Sequence, residues 1–113
     1  MFLIDWYAEG YVNSAKQQGQ CGSCYIFAAI GALEAQVKKY FNILPKLSTQ
    51  QIVDCQANGC NGGNSLVAYY YLNTSVGSVL DSDYPYYSWN GEVCNILKNH
   101  KWELTHFELI AQK

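Results

Sequence analysis

Apolar side chains are scattered without order over residues 5–20 and then fall into step. From Tyr25 onward, Ile26, Ile30, Leu33, Val37 and Phe41 recur three and four residues apart, the period of a helix with a buried face. The first turns are apolar on nearly every side. The helix predicted from about 24 to 41 is therefore buried at its start and surfaces at its end, where Glu34 can pair with Lys38 at i, i+4. Residues 42–47 carry Pro45, which lacks the N–H that a helix needs and breaks the run.

Ser48 and Gln51 stand in a capping-box pattern just before Ile52 and Val53, which predicts a short second helix ending near Cys55. A turn follows over 58–63. Residues 64–72 contain no breaker and place Leu66, Tyr69, Tyr70 and Leu72 where a third helix could bury some of them. Gly77, Pro85 and Gly91 punctuate a loop-rich stretch up to Cys94, and residues 5–20, with Gly10 and Gly19, read as an approach loop. No internal repeat or low-complexity tract is present.

Composition narrows the classes of function. Half of the 113 residues are apolar, which is enough for one small domain and too little for two independent cores. Only 14% are charged and the formal net charge is -2. There is no basic stripe to neutralise a phosphate backbone, so nucleic acid is not an expected partner. No membrane partner is expected either, because the apolar run opening the first helix is far short of a bilayer span and no secretory leader pattern begins the sequence. Ten tyrosines and three tryptophans suit a packed core or an adhesive interface.

Five cysteines in so short a chain point to an oxidising compartment or a metal. Cys24 stands where the approach loop meets the buried helix. Unpaired backbone N–H groups and the helix dipole favour negative charge at that point, which suits a nucleophilic sulfur. On position alone, Cys24 could equally be a disulfide or core cysteine.

The run Cys21-Gly22-Ser23-Cys24-Tyr25 resembles the active-site signature of papain and cathepsin-type cysteine peptidases, in which the second cysteine is the nucleophile. Gln18-Gly19 upstream, Cys55 at the end of the second helix and Cys60-Asn61-Gly62-Gly63 after it match in the same order. Asp5-Trp6 and Tyr84-Pro85-Tyr86 before Cys94 also read like the family. The resemblance implies an α+β papain-like fold, of which this chain holds the mainly helical left half with long disulfide-linked loops. Residues 1–94 are assigned to that N-terminal half, and 95–113 form a tail without a clear match.

By the same resemblance, Cys24 attacks a peptide carbonyl and the Gln18 side chain donates to the oxyanion, a pre-aimed donor worth about 3 kcal/mol. Gly22, Ser23, Gly62, Gly63 and Asn64 border the substrate: an extended peptide laid on backbone groups needs the side-chain-free wall of Gly62 and Gly63, and Asn64 resembles the edge of the family's main specificity pocket. The family pattern implies Cys21–Cys60 and Cys55–Cys94 disulfides, each closing a loop of about 40 residues and worth about 4 kcal/mol by chain entropy. A polypeptide is the implied substrate, no cofactor or metal is called for, and the implied location is lysosomal, vacuolar or secreted.

Two departures qualify the match. Tyr25 replaces the usual tryptophan and brings a hydroxyl that needs a partner. The family's histidine and asparagine lie about 130–150 residues beyond the nucleophile, whereas this chain has 113 residues. His100 and His106 read as exposed histidines of the tail, where Trp102, Leu104, Phe107, Leu109 and Ile110 keep no single period. A chain truncated before those groups is expected to be inactive alone, with a missing C-terminal half as its partner. The alternative is a non-catalytic binding or decoy module of the same fold. Rival readings of the cysteines are a zinc site from Cys21, Cys24, Cys55 and Cys60, and a redox pair at Cys21 and Cys24. Finally, Asn73-Thr74-Ser75 forms a glycosylation acceptor triplet.

Overall fold

The fold is seen in a computed structural model, which describes residues 3–75, 77–90 and 94. The expectations for Gly91, for His100 and His106 and for the tail over 95–113 lie outside the described residues. Among the described residues three helices carry the architecture: α1 over Cys24–Phe41, α2 over Gln50–Cys55 and α3 over Ser65–Thr74. Between them run long loops in which two isolated bridges occur, Gly22 with Asn61 in parallel and Leu47 with Leu80 in antiparallel sense.

α1 forms as its apolar period predicts. Ile26, Ala29 and Ile30 are fully buried and Val37 continues the buried face, each large side chain contributing about 2 kcal/mol. The helix ends at Asn42, which adopts a left-handed conformation and donates its N–H to the Lys38 carbonyl, so the chain has already turned before Pro45. α3 lays Ala68 and Leu72 against α1, with Tyr69 half-buried beside them. Ile52 and Val53 of α2 join the same core, as does Leu47 from the preceding loop.

Two expectations are corrected. Glu34 does not pair with Lys38 on the surface. It is 3% exposed, accepts the Leu47 N–H at 2.8 Å and lies 3.8 Å from the Lys16 ammonium, while Lys38 donates to Asn42. A loop N–H that would otherwise be buried unpaired draws the carboxylate inward. The capping box is half realised, since Ser48 Oγ accepts from the Gln51 N–H at 3.0 Å but the Gln51 side chain does not reach back. It donates to the Gly77 carbonyl and accepts from the Val79 N–H. In α3 the expectation that some of Leu66, Tyr69, Tyr70 and Leu72 are buried holds, for Leu72 is buried and Tyr69 half-buried while Leu66 and Tyr70 face solvent, each 72% exposed.

Gln50 and Gln51 are both completely buried. Gln50 accepts from Tyr87 N–H and donates to the Trp89 carbonyl and to Asp54. Together the two glutamines pin residues 77–89 to α2 with side-chain amides where a sheet would use backbone pairing.

Candidate active site

The first turn of α1 stands at the edge of the core with its leading residue exposed. Ser23 is its N-cap, and its carbonyl accepts from Ile26 and Phe27. Its hydroxyl makes no cap bond to the helix. It meets Tyr86 Oη at 2.7 Å instead, so no side chain closes over the helix N-terminus. The first N–H groups of a helix have no intrahelical partner, and Cys24 is the first helical residue, exposed and with a free thiol.

The other four cysteines are consumed in two disulfides, Cys21–Cys60 and Cys55–Cys94. The pairing removes the sulfurs that a zinc site would need and separates Cys21 from Cys24 as a redox couple. The Cys21–Cys60 bond holds the segment 60–63 beside the loop that leads into Cys24. Gly22 donates its N–H to the Cys60 carbonyl at 2.9 Å, and a Cβ at Gly22 would lie 2.6 Å from that same oxygen. Only glycine permits the approach. Gly62 follows with φ +87°, its carbonyl held by Asn58 Nδ2 at 3.0 Å.

Gln18 is brought to the same place. Its side-chain amide donates to the Cys21 carbonyl, and its own carbonyl accepts from the Tyr86 hydroxyl. Gln18 and Cys24 both line an open cleft of about 270 Å³, whose other walls include Val12, Phe27, Ile30 and Glu34. An amide nitrogen has two hydrogens, so one remains for a second acceptor.

The remaining expected site residues take different places. Gly63 lies against the Tyr25 ring, where a Cβ would come within 3.2 Å of it. Ser23 is fully buried, and its hydroxyl meets Tyr86 Oη at 2.7 Å. Asn64 caps α3, its side chain accepting the Leu66 N–H at 2.8 Å. Tyr25 finds the partner its hydroxyl requires, donating to the Gly59 carbonyl at 2.8 Å and accepting from Gln56 at 2.6 Å. Burial pushes its hydroxyl above the ordinary tyrosine range, the Gln56 bond opposes this, and negative charge on Cys24 adds to it.

Tyr86 is the residue that sequence reasoning left without a role. It packs edge-on against Phe27 with ring centroids 5.0 Å apart and ties Ser23 to Gln18. The Tyr84-Pro85-Tyr86 run was its signal.

An exposed free cysteine thus opens a deep-lying helix, flanked by a disulfide-pinned glycine turn and a glutamine. The chain matches the papain family of cysteine proteases over residues 3–113 and belongs to that family. It is 42% identical to cathepsin S of Bos taurus over 101 residues, covering 85% of this chain and 30% of that protein. Cysteine proteinase COT44 of Brassica napus is 39% identical over 101 residues, with 87% and 31% coverage. Among solved structures, the Carica candamarcensis cysteine protease CMS1MS2 in complex with E-64 superposes with a TM-score of 0.81 at 34% identity, covering 89% of this chain and 47% of that one. The chain thus spans under a third of the length of the two curated relatives.

Proposed function

We propose that Cys24 is the nucleophile of a cysteine-type peptidase, and that residues 1–94 form its nucleophile-bearing half. The carrying observation is the free, exposed Cys24 thiol at an uncapped helix start, in one cleft with Gln18. In this reading the Cys24 thiolate adds to a peptide carbonyl, and negative charge gathers on the carbonyl oxygen. The Cys24 N–H and the second Gln18 amide hydrogen stabilise that charge. Gly62 and Gly63 supply a side-chain-free wall for an extended polypeptide.

The departing amine must receive a proton, and in this family that acid is an imidazolium. Among the described residues there is no histidine near Cys24. In this family the histidine lies about 130–150 residues beyond the nucleophile, farther than His100 or His106 stands from Cys24, so we assign the acid to residues outside these 113 and expect the isolated polypeptide to be inactive with one wall of its cleft open. A free thiol at the nucleophile position favours a peptidase over a decoy module. The two disulfides fit the lysosomal, vacuolar or secreted location proposed with this function.

The test is turnover of a fluorogenic dipeptide by the refolded 113-residue polypeptide, alone and refolded with the carboxy-terminal remainder of a relative such as bovine cathepsin S. Turnover that needs both parts and vanishes with Cys24→Ala is expected. Cys24-dependent turnover by the polypeptide alone would overturn the assignment of the acid.

A further inference from the structure

The outer face of α3 carries an arrangement that the peptidase reading does not use. Leu66, Tyr70 and Asn73 stand four and then three residues apart, so they share one side of the helix. All three are exposed, the first two at 72%, while Ala68 and Leu72 turn the opposite side into the core. Asn73, Thr74 and Ser75 form the one Asn-X-Ser/Thr triplet in the sequence. The triplet straddles the helix end: Thr74 is the last helical residue, bonding back to the Tyr70 carbonyl at 2.8 Å, and Ser75 is already extended with φ -107° and ψ -156°.

We propose that Asn73 is an N-glycosylation acceptor and that the attached sugar lies over Tyr70 and Leu66. The Asn73 side chain leaves α3 into water, so the folded protein accommodates a bulky substituent there without disturbing the core. Sugar rings present C–H faces that pack on an aromatic ring, and Tyr70 offers that ring one turn away from the attachment point. The two disulfides imply passage through an oxidising compartment, where the modification takes place.

The donor is an oligosaccharide on a polyprenyl diphosphate, and the transferase of the secretory membrane is the catalyst. The Asn73 amide nitrogen forms a bond to the anomeric carbon as the bond from that carbon to the diphosphate oxygen breaks. The lipid diphosphate leaves with the electron pair, and the lost amide proton passes to a base of the transferase. No electron is gained or lost. Transfer takes place on the entering chain before α3 closes, and the exposed helix end lets the product fold.

The experiment is secretion of the full 113-residue chain from eukaryotic cells behind a removable leader, followed by peptide mapping with and without the amidase that releases N-linked sugars and leaves aspartate. Sugar on Asn73 is expected, with none in Asn73→Gln or Ser75→Ala and retention in Ser75→Thr. Enzymatic removal of the sugar should raise binding of a hydrophobic dye several-fold, and Tyr70→Ser with Leu66→Ser should erase that rise. An unmodified Asn73 peptide from secreted protein with both disulfides formed would overturn the proposal. Dye binding unchanged by removal would overturn the placement over Tyr70. Because the disulfide map comes from the same digest, failure here is distinguishable from failure of the peptidase reading.

Discussion

The hydroxyl of Tyr86 donates to the Gln18 carbonyl while receiving the Ser23 hydroxyl at 2.7 Å. One side chain from the loop before Cys94 thereby fixes the proposed oxyanion donor, Gln18, relative to the residue preceding Cys24. Tyr86→Phe keeps the ring against Phe27 and removes only the bond. Denaturant unfolding should show a loss of about 1–2 kcal/mol. In enzyme reconstituted with a carboxy-terminal half, kcat should fall roughly five- to tenfold, about 1 kcal/mol of transition-state stabilisation, with KM little changed. Equal changes in kcat and stability for Tyr86→Phe and Phe27→Leu would mean that the hydroxyl has no positioning role.

Glu34 is predicted to matter through the Leu47 N–H rather than through Lys16. Glu34→Ala leaves that buried donor without an acceptor and should cost about 2–3 kcal/mol in denaturant unfolding, whereas Glu34→Gln keeps a carbonyl oxygen and should cost about 1 kcal/mol. Lys16→Ala should cost under about 0.5 kcal/mol, because the ion pair is 3.8 Å long with a partly exposed lysine. A larger loss for Lys16→Ala than for Glu34→Ala would reverse this ranking.

Alkaline unfolding should register the tyrosines around Asp54. Burial, then the hydrogen bond to Asp54 and its charge, push the Tyr87 hydroxyl up to about 12 from the ordinary 10.0. The folded state holds this proton more tightly than the unfolded state. Its contribution to stability is therefore complete below pH 10.0 and is lost as pH rises through about 12. Tyr25 and Tyr69, also raised by burial, act in the same direction. Tyrosinate absorbance titrated in native and denatured protein should show a late native fraction, diminished in Tyr87→Phe. Native and denatured curves that coincide would contradict the Asp54 arrangement.

The three helices were legible because their signals are local. The period of Ile26, Ile30 and Val37 needs nothing beyond neighbouring turns, and α1 spans Cys24–Phe41 as that period predicts. The loop before Cys24 was legible through glycine and cysteine spacing, since Gly22 permits the approach to Cys60 that the Cys21–Cys60 bond maintains. What stayed hidden depends on partners far away in sequence. Gln50 and Gln51 look like surface residues of a helix start, yet they are buried because loop N–H and C=O groups at Gly77, Val79, Tyr87 and Trp89 need them. Glu34 likewise reads as half of a surface pair until Leu47 is placed beside it. The need for a partner for Tyr25 was readable, but its identity as Gly59 was not.

The Cys21–Cys60 disulfide locks the segment 60–63 beside α1, and together with Cys55–Cys94 it leaves Cys24 as the free thiol. Alkylating the native protein, digesting it without reduction and mapping every cysteine by mass measures this directly. The predicted result is Cys21–Cys60 and Cys55–Cys94 intact, with the alkyl group on Cys24 alone of the five cysteines. Cys24 found in a disulfide with Cys21, or refractory to alkylation in the folded protein, would contradict it.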